Sequence, residues 1–374
     1  FSLRPDFSKA RWAFAMTQIP VFYGPDDDPA ACRVAFRQEL DDLEGWFDAH
    51  RIEQGYLSVG NQHPFYLAYQ EIDNRDLLSR CGALYSRLME HWKAGQGYTL
   101  PARTAGETIR LGIVSAHIRN HSVWNALDKG WFQHLERKRF ELYVFHIGSR
   151  QDEETSWAQS QSASFVQGGK GLNQWVEIIL GRRPEVLIYP EVGMDPTTTK
   201  LASLRLAPVQ IASWGHPETT GLPTMDYYLS AEDLEPPSAG DNYSEQLVLL
   251  PHLGCCFQQL TVNIKEPDFS ALGIDPLSPV FLCPGTPFKY APEHDRIFTD
   301  IARRLGKCQF VFFTHHFKNL SERLHQRLTT VFAQAGLKIS EHVIFVPWLE
   351  RSTFYGLMAR ADAFLDTIGF SGFN

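Results

Sequence analysis

The chain has 374 residues, 44% of them hydrophobic, enough for two ordinary domains with an extension. Its net charge of −8 comes without a basic block or Arg-rich stripe, which excludes a dedicated nucleic-acid binder and points to small molecules or proteins as partners. No run approaches the roughly 18 uninterrupted apolar residues of a membrane span, and the first residues do not read as a signal peptide.

The six cysteines, Cys32, Cys81, Cys255, Cys256, Cys283 and Cys308, form no CxxC pair and are expected reduced and mostly buried. With these features a cytoplasmic location is expected. The chain begins with Phe rather than Met and stops without a terminating pattern, so a longer parent chain is expected.

Residues 1–105 read as a helical N-terminal extension. "CRVAFRQELDDLEGWFDAH" and "DLLSRCGALYSRLMEHWKA" carry apolar residues at three- and four-residue steps, as at Leu40, Leu43 and Phe47, which describes helices with one buried face. The loop "LSVGNQHPFYLAYQ" separates them, and no 34-residue repeat is evident.

From about 107 the texture changes to short apolar runs alternating with amphipathic segments. "IRLGIVSA" precedes the helical "WNALDKGWFQHLERK", "FELYVFHIG" precedes "LNQWVEIILG", and "EVLIYPE" precedes "TTKLASLRL". "VQIASWG", "DYYLS" and "QLVLLP" complete a first Rossmann-like domain over 106–265.

A second series, 266–374, starts with "PVFLCPG" and runs through "CQFVFFTHH" and "HVIFVPW" to "DAFLDT", again with helices between. Its first helix is bounded by Pro292 and acidic residues at the start and by arginines and Gly306 at the end. The fold class is therefore α/β, two Rossmann-like domains facing a cleft behind a helical extension, the second domain reading as incomplete.

In open α/β sheets ligands lie beyond the carboxyl ends of the strands. Here those ends are residues 115–121, 190–194, 214–220, 284–289, 315–316 and 369–374. "VSAHIRNHSVWN" places His117, Arg119, Asn120 and His121 at the first of them. A neutral imidazole can accept a proton near pH 7, which makes His121 a candidate base or ligand contact and His117 a lesser one; a loop histidine bonded to a backbone carbonyl is the alternative.

Lys289, after "CPGTPF", can neutralise a diphosphate and so stabilise a leaving group without a metal, with Thr286 donating a hydroxyl to the same phosphate; the alternative is an ordinary surface-loop lysine. "TIGFSGFN" follows a strand with two glycines, which suits close backbone approach to phosphate, and supplies Ser371, Gly372 and Asn374 as candidate contacts.

"SWGHPETTG" mixes Trp214, Gly215, His216, Thr219 and Thr220, a combination that binds sugars by stacking and hydroxyl contacts or simply makes a Pro- and Gly-punctuated turn. With Glu191 these threonines form the candidate acceptor or sugar loop. "DDD" at 26–28 reads as a solvated turn, "HH" at 315–316 lacks a spaced third zinc ligand, and no metal site is assigned.

These segments, above all "LRLAPVQIASWGHPETTGLPTMDYYLSA" together with "RLGIVSAHIRNHS", "YSEQLVLLP" and "FLDTIGFSGFN", resemble the catalytic region of the O-GlcNAc transferase and SPINDLY family in its bacterial branch, over roughly 107–374. Bacterial cytoplasmic protein N-glucosyltransferases are related. The resemblance implies a GT-B glycosyltransferase whose cleft binds a UDP-sugar and which transfers the sugar to a protein side chain, inverting the anomeric carbon without metal or other cofactor. GlcNAc to Ser or Thr is the expected reaction; transfer to Asn, another donor such as UDP-glucose or GDP-fucose, and a protein-binding scaffold are the alternatives.

By the same resemblance His121 matches the histidine of the family's "NH" motif, Lys289 the lysine that contacts the donor diphosphate, and Gly215 and His216 the G-[HY]-P loop beside the sugar. The chain departs from the pattern where animal enzymes read "NGH": here stand Ser371, Gly372 and Phe373. Phe354 takes the place of another family histidine. Tetratricopeptide repeats usually precede the catalytic region in this family and are expected upstream of Phe1.

Overall fold

Two parallel sheets carry the chain after its helical start. The computed structural model describes residues 7–102, 106, 108–257 and 261–369. In the first sheet, β1 (Ile109–Ser115), β2 (Phe140–His146), β3 (Ser164–Gln167), β4 (Val186–Tyr189), β5 (Val209–Ser213), β6 (Tyr227–Ala231) and β7 (Gln246–Leu250) lie in the order β3-β2-β1-β4-β5-β6-β7. Every pairing is parallel.

The second sheet contains β8 (Val280–Cys283), β9 (Gln309–Phe313), β10 (Val343–Val346) and β11 (Ala363–Phe364), ordered β10-β9-β8-β11 and again parallel. The strand order reverses between β1 and β4 in one sheet and between β8 and β11 in the other. Each reversal opens a crevice at the strands' carboxyl ends. This is the two-lobed α/β arrangement of a GT-B fold.

The strands read as unbroken apolar runs because both faces are covered. Successive side chains enter opposite cores: Val114, Phe145 and Leu187 pack on one face with Trp175 and Ile179, while Ile113, Val144 and Ile188 pack on the other with Trp124 and Phe132. In the second lobe Phe310 and Phe312 face one core, Val311 and Phe313 the other. Cys81, Cys283 and Cys308 are buried, the other three cysteines half-buried, and all six are unbridged.

The N-terminal helices Ser8–Met16, Pro29–Trp46 and Arg75–Gln96 have no core of their own. Trp12, Leu40 and Leu88 share a cluster with Val114 and Tyr189 of the first sheet, whereas Phe22 is buried in the core of the second lobe. Buried Arg327 fixes that second contact, donating from Nη1 to Tyr23 O at 2.8 Å while Nε bonds Asp295 at 2.6 Å. The extension thus spans both lobes. Its long helix meets the first lobe backbone to backbone: a Cβ at Gly82 would lie 2.0 Å from Gly221 O.

Three local differences from the sequence expectations have clear causes. The four-residue β3 is an edge strand with every residue only half-buried, so no apolar run announces it. The segment after His121 opens as a π-helical turn, Trp124–Asp128, before a short α-helix, Lys129–His134. Pro292 starts a 3₁₀ turn, and the α-helix proper is Arg296–Leu305, closed by Gly306 at φ 74°. Among the described residues no helix is long and apolar enough to cross a membrane.

Candidate functional site

A cleft of about 660 Å³ lies where the two crevices face each other. His121, Met194, Trp214 and Gly215 line it from the ends of β1, β4 and β5, and Lys289 and Gly369 line it from the ends of β8 and β11. The switch points of both sheets therefore open into one space, as the strand-end rule requires.

On the first lobe the loop after β1 is pinned from below. Ser115 Oγ accepts from His117 N at 2.9 Å, and the fully buried Glu191 accepts from Ala116 N at 2.8 Å through Oε1. The same Oε1 lies 3.3 Å from His117 Nδ1, so that nitrogen carries the proton. His121 Nδ1 instead accepts from Val123 N at 3.3 Å, which places its proton on Nε2.

Burial, then the charges of His117 and Arg119, lower His121 to about 4, so it stays neutral across the physiological range. A neutral imidazole with its proton on Nε2 can donate a hydrogen bond, and His121 lines the cleft. Asp128, at the end of the π-helical turn, is buried with neither oxygen bonded to another described residue. Burial and the neighbouring Glu191 push its carboxyl far above the usual range, so it is held protonated.

Gly215 has no room for a side chain: an added Cβ would stand 2.6 Å from Pro190 O and 3.0 Å from Glu191 Cβ. A glycine here lets backbone approach whatever occupies the cleft. Trp214 and Pro217 of "SWGHPETTG" line the cleft with Gly215, while His216, Thr219 and Thr220 are held elsewhere. His216 is buried against Phe65 and His63 of the extension, with ring centroids at 4.7 and 5.6 Å, and burial lowers it to about 3. Thr219 Oγ1 donates to Glu245 Oε2 at 2.5 Å, and Thr220 N donates to Glu245 Oε1 at 2.9 Å. Both threonines are held in place by this one buried carboxylate.

On the second lobe Lys289 closes a 3₁₀ turn, Pro287–Lys289, directly after β8. Burial pulls its ammonium below the ordinary value, and Asp366 after β11 opposes that shift. A half-buried cation at a strand end, facing a cleft, binds anions more strongly than a surface lysine because little solvent screens it. Thr286 Oγ1 and Tyr290 OH behind it are buried without a partner among the described residues. Ser371, Gly372 and Asn374 lie outside the described residues.

Two groups of cleft residues have no counterpart among the sequence candidates. Phe65 and Tyr69 come from a 3₁₀ turn of the extension, Phe65–Tyr69, and Tyr69 packs on Phe288 beside Lys289 at 5.6 Å between centroids. Ser230 near the end of β6 and Glu235 and Tyr243 after it form the second group, with Glu235 Oε1 accepting from Ser230 Oγ at 2.5 Å and Tyr243 OH at 2.6 Å. The strand-end rule applied to "DYYLSAEDLE" would have found Ser230 and Glu235, though not Tyr243. Nothing periodic marks the first group.

Among the described residues, no three His, Cys, Asp or Glu side chains converge as a metal set.

With this geometry in hand, known proteins can be compared. No protein-family model matches the chain. It is 24% identical over 282 residues to the probable UDP-N-acetylglucosamine–peptide N-acetylglucosaminyltransferase SEC of Arabidopsis thaliana, covering 72% of this chain and 28% of that protein. It is 32% identical over 162 residues to the barley (Hordeum vulgare) protein named as the probable enzyme SPINDLY of the same activity, covering 41% and 17%. The chain thus spans less than a third of these curated relatives. Among solved structures, a mutant O-GlcNAc transferase of Thermobaculum terrenum superposes with a TM-score of 0.70 at 17% identity, over 99% of this chain and 67% of that one.

Proposed function

We propose that this chain, by its relatives and its GT-B fold a glycosyltransferase of the O-GlcNAc transferase and SPINDLY family, transfers a sugar from a UDP-sugar to Ser or Thr of a protein. Transfer inverts the anomeric carbon and uses no metal. GlcNAc is the sugar. The observation that carries the reading is that His121 and Lys289, from opposite lobes and equivalent topological positions, line one cleft.

In this mechanism Lys289 sits against the diphosphate and offsets the charge that grows on UDP as the glycosidic bond to phosphate breaks, a contribution greater in the transition state than in the ground state. The backbone amide of Gly369, after β11, adds a donor to the same phosphates. Gly369 has the left-handed φ of 79° that glycine tolerates, and an added Cβ there would lie 2.7 Å from Glu71 Oε1. His121, neutral and with its proton on Nε2, donates to the donor's phosphate or sugar hydroxyls from the other side.

Gly215 and Pro217 form the floor under the sugar and Tyr69 a side wall. The two lobes enclose donor and acceptor together, which supplies proximity as well as charge.

Calorimetric titration of the protein with UDP, UDP-GlcNAc, UDP-glucose and GDP-fucose tests this reading. Binding of UDP and UDP-GlcNAc that Lys289→Ala weakens at least tenfold is the expected result. Tighter binding of UDP-glucose or GDP-fucose than of UDP-GlcNAc would replace the donor, and no nucleotide binding would overturn the reading.

A further inference from the structure

The two histidines after β1 are not equivalent, and the difference assigns a base. Their rings are tilted on one another with centroids 4.1 Å apart. His121 has Nδ1 tied up as an acceptor of Val123 N–H, so it presents a donor. His117 has Nδ1 tied up as a donor to Glu191 Oε1, so it presents Nε2 as a lone pair. No described residue bonds that Nε2, and the His117 side chain keeps 14% of its surface exposed, its ring packed on His121, which lines the cleft.

An imidazole oriented through Nδ1–H by a buried carboxylate is the arrangement that makes a general base: the carboxylate selects the tautomer and stabilises the imidazolium once formed. We propose that His117, oriented by Glu191, is the base that takes the acceptor's proton, while His121 acts only as a hydrogen-bond donor; this assignment rests on the transfer reading above.

In the step, the acceptor hydroxyl gives its proton to His117 Nε2 as its oxygen bonds the anomeric carbon. The bond from that carbon to the diphosphate oxygen breaks, and UDP leaves with the electron pair. The proton then passes from His117 to solvent.

Glu191 is a positioning residue here, and Asp128 supports it. Glu191 Oε2 and both Asp128 oxygens are buried without a bonded neighbour among the described residues. Burial and the neighbouring Glu191 raise the Asp128 carboxyl far above the usual range, which favours its protonated form beside Glu191. The π-helical turn is what brings Asp128 to this spot, since it shifts the helical register directly after the histidines. The charged or titratable groups facing His117 are Glu191, His121 and, beyond Glu191, Asp128; Arg119 acts on His121.

The first test reads tautomers without activity. Long-range ¹⁵N–¹H correlation spectra of the protein at neutral pH should show His117 protonated at Nδ1 and His121 at Nε2, and Glu191→Gln should perturb only His117. His117 protonated at Nε2 would overturn the assignment.

The second test reads UDP release from UDP-GlcNAc, with water as acceptor, against pH. His117→Asn should keep UDP affinity, lose on the order of 10²-fold or more in rate, and lose the acid limb of the profile. His121→Asn should keep that limb and weaken UDP-GlcNAc binding instead. An acid limb that follows His121 would overturn the assignment. Absence of UDP binding by the unaltered protein would remove the transfer reading, and with it the base, even with the tautomers as described.

Discussion

The two lobes reach the cleft by the same topology and bring opposite chemistry to it. At the β1/β4 reversal the chain supplies imidazoles, a buried carboxylate bonded to one of them, and a glycine packed against that carboxylate's residue, on a seven-stranded sheet. At the β8/β11 reversal it supplies a half-buried lysine and a glycine in the left-handed region, on a four-stranded sheet whose last strand is two residues long. The first end is built to hold protons at fixed atoms, the second to meet negative charge. Strand order decides where a ligand can lie, and the residues just past the strands decide what is done to it.

The largest effect expected from breaking this division is at Lys289. On the proposed mechanism Lys289→Ala removes the charge set against the departing UDP, and turnover of UDP-GlcNAc should fall 10²–10³-fold, about 3–4 kcal/mol of transition-state stabilisation. The thermal midpoint should hardly move, because the side chain is only partly enclosed on a turn. Lys289→Arg keeps the charge and should recover part of the loss. Near-normal turnover of the Ala variant would show that the second lobe's cation is not what meets the phosphates.

The next prediction concerns what holds the two ends in register. The extension contacts both lobes, and its tightest contact is with the loop that carries Gly215: a Cβ at Gly82 would lie 2.0 Å from Gly221 O, and one at Gly221 would lie 2.0 Å from Leu78 O. Backbone atoms cannot yield as side-chain ends do. Gly82→Ala should therefore destabilise the protein by about 3 kcal/mol. Denaturant unfolding measures this. A cost below about 1 kcal/mol would mean that the extension can separate from the first lobe without harm.

Electrostatics at the same seam gives a smaller, pH-dependent effect. Glu218, which accepts from Asn74 Nδ2 at 2.9 Å, is raised from 4.5 to about 7, chiefly by burial. An acid whose folded value is raised binds its proton more tightly when folded. Stability is therefore fullest below about pH 4.5 and declines as pH rises to about 7. Glu218→Gln keeps the acceptor and removes the titration. It should be more stable than the parent by about 1–3 kcal/mol at pH 8 and no different at pH 4.5. Equal pH dependence in both proteins would place the titration elsewhere.

How far the sequence revealed this depends on what each element needed from its neighbours. The fully buried strands were legible because burial on both faces demands runs such as "LGIVS" and "QFVFF", and the positions of His121, Lys289 and Gly215 follow from the strand-end rule alone. The edge strand β3 was not, since half-buried residues leave no apolar signature. The π-helical turn was not, because its register depends on Trp124 and Asp128 being buried by other parts of the chain.

The threonines of "PETTG" looked like sugar contacts by type, yet Glu245, twenty-five residues away in sequence from Thr220, takes both hydroxyls. Only a folded chain shows that partner. Phe65 and Tyr69 escaped for the opposite reason: aromatics in a Pro-initiated loop carry no periodicity, and their place in the cleft is set by helices packing on a distant sheet.

Those aromatics yield the smallest predicted effect and the one that best separates the two halves of the donor. Tyr69 lines the cleft from outside both sheets, stacks on Tyr66 with centroids 5.9 Å apart, and meets Phe288 edge to face. In the proposed mechanism it walls the sugar side of the diphosphate. Tyr69→Leu preserves apolar bulk and removes the aromatic face, a loss of about 0.5–1.5 kcal/mol where a ring stacks on a flat partner. UDP-GlcNAc affinity should fall about two- to tenfold while UDP affinity is unchanged, as read by calorimetry. Equal weakening of both ligands would move Tyr69 to the nucleotide. No change in either would leave it as a brace between extension and second lobe, and the sugar wall would then have to come from the two sheets alone.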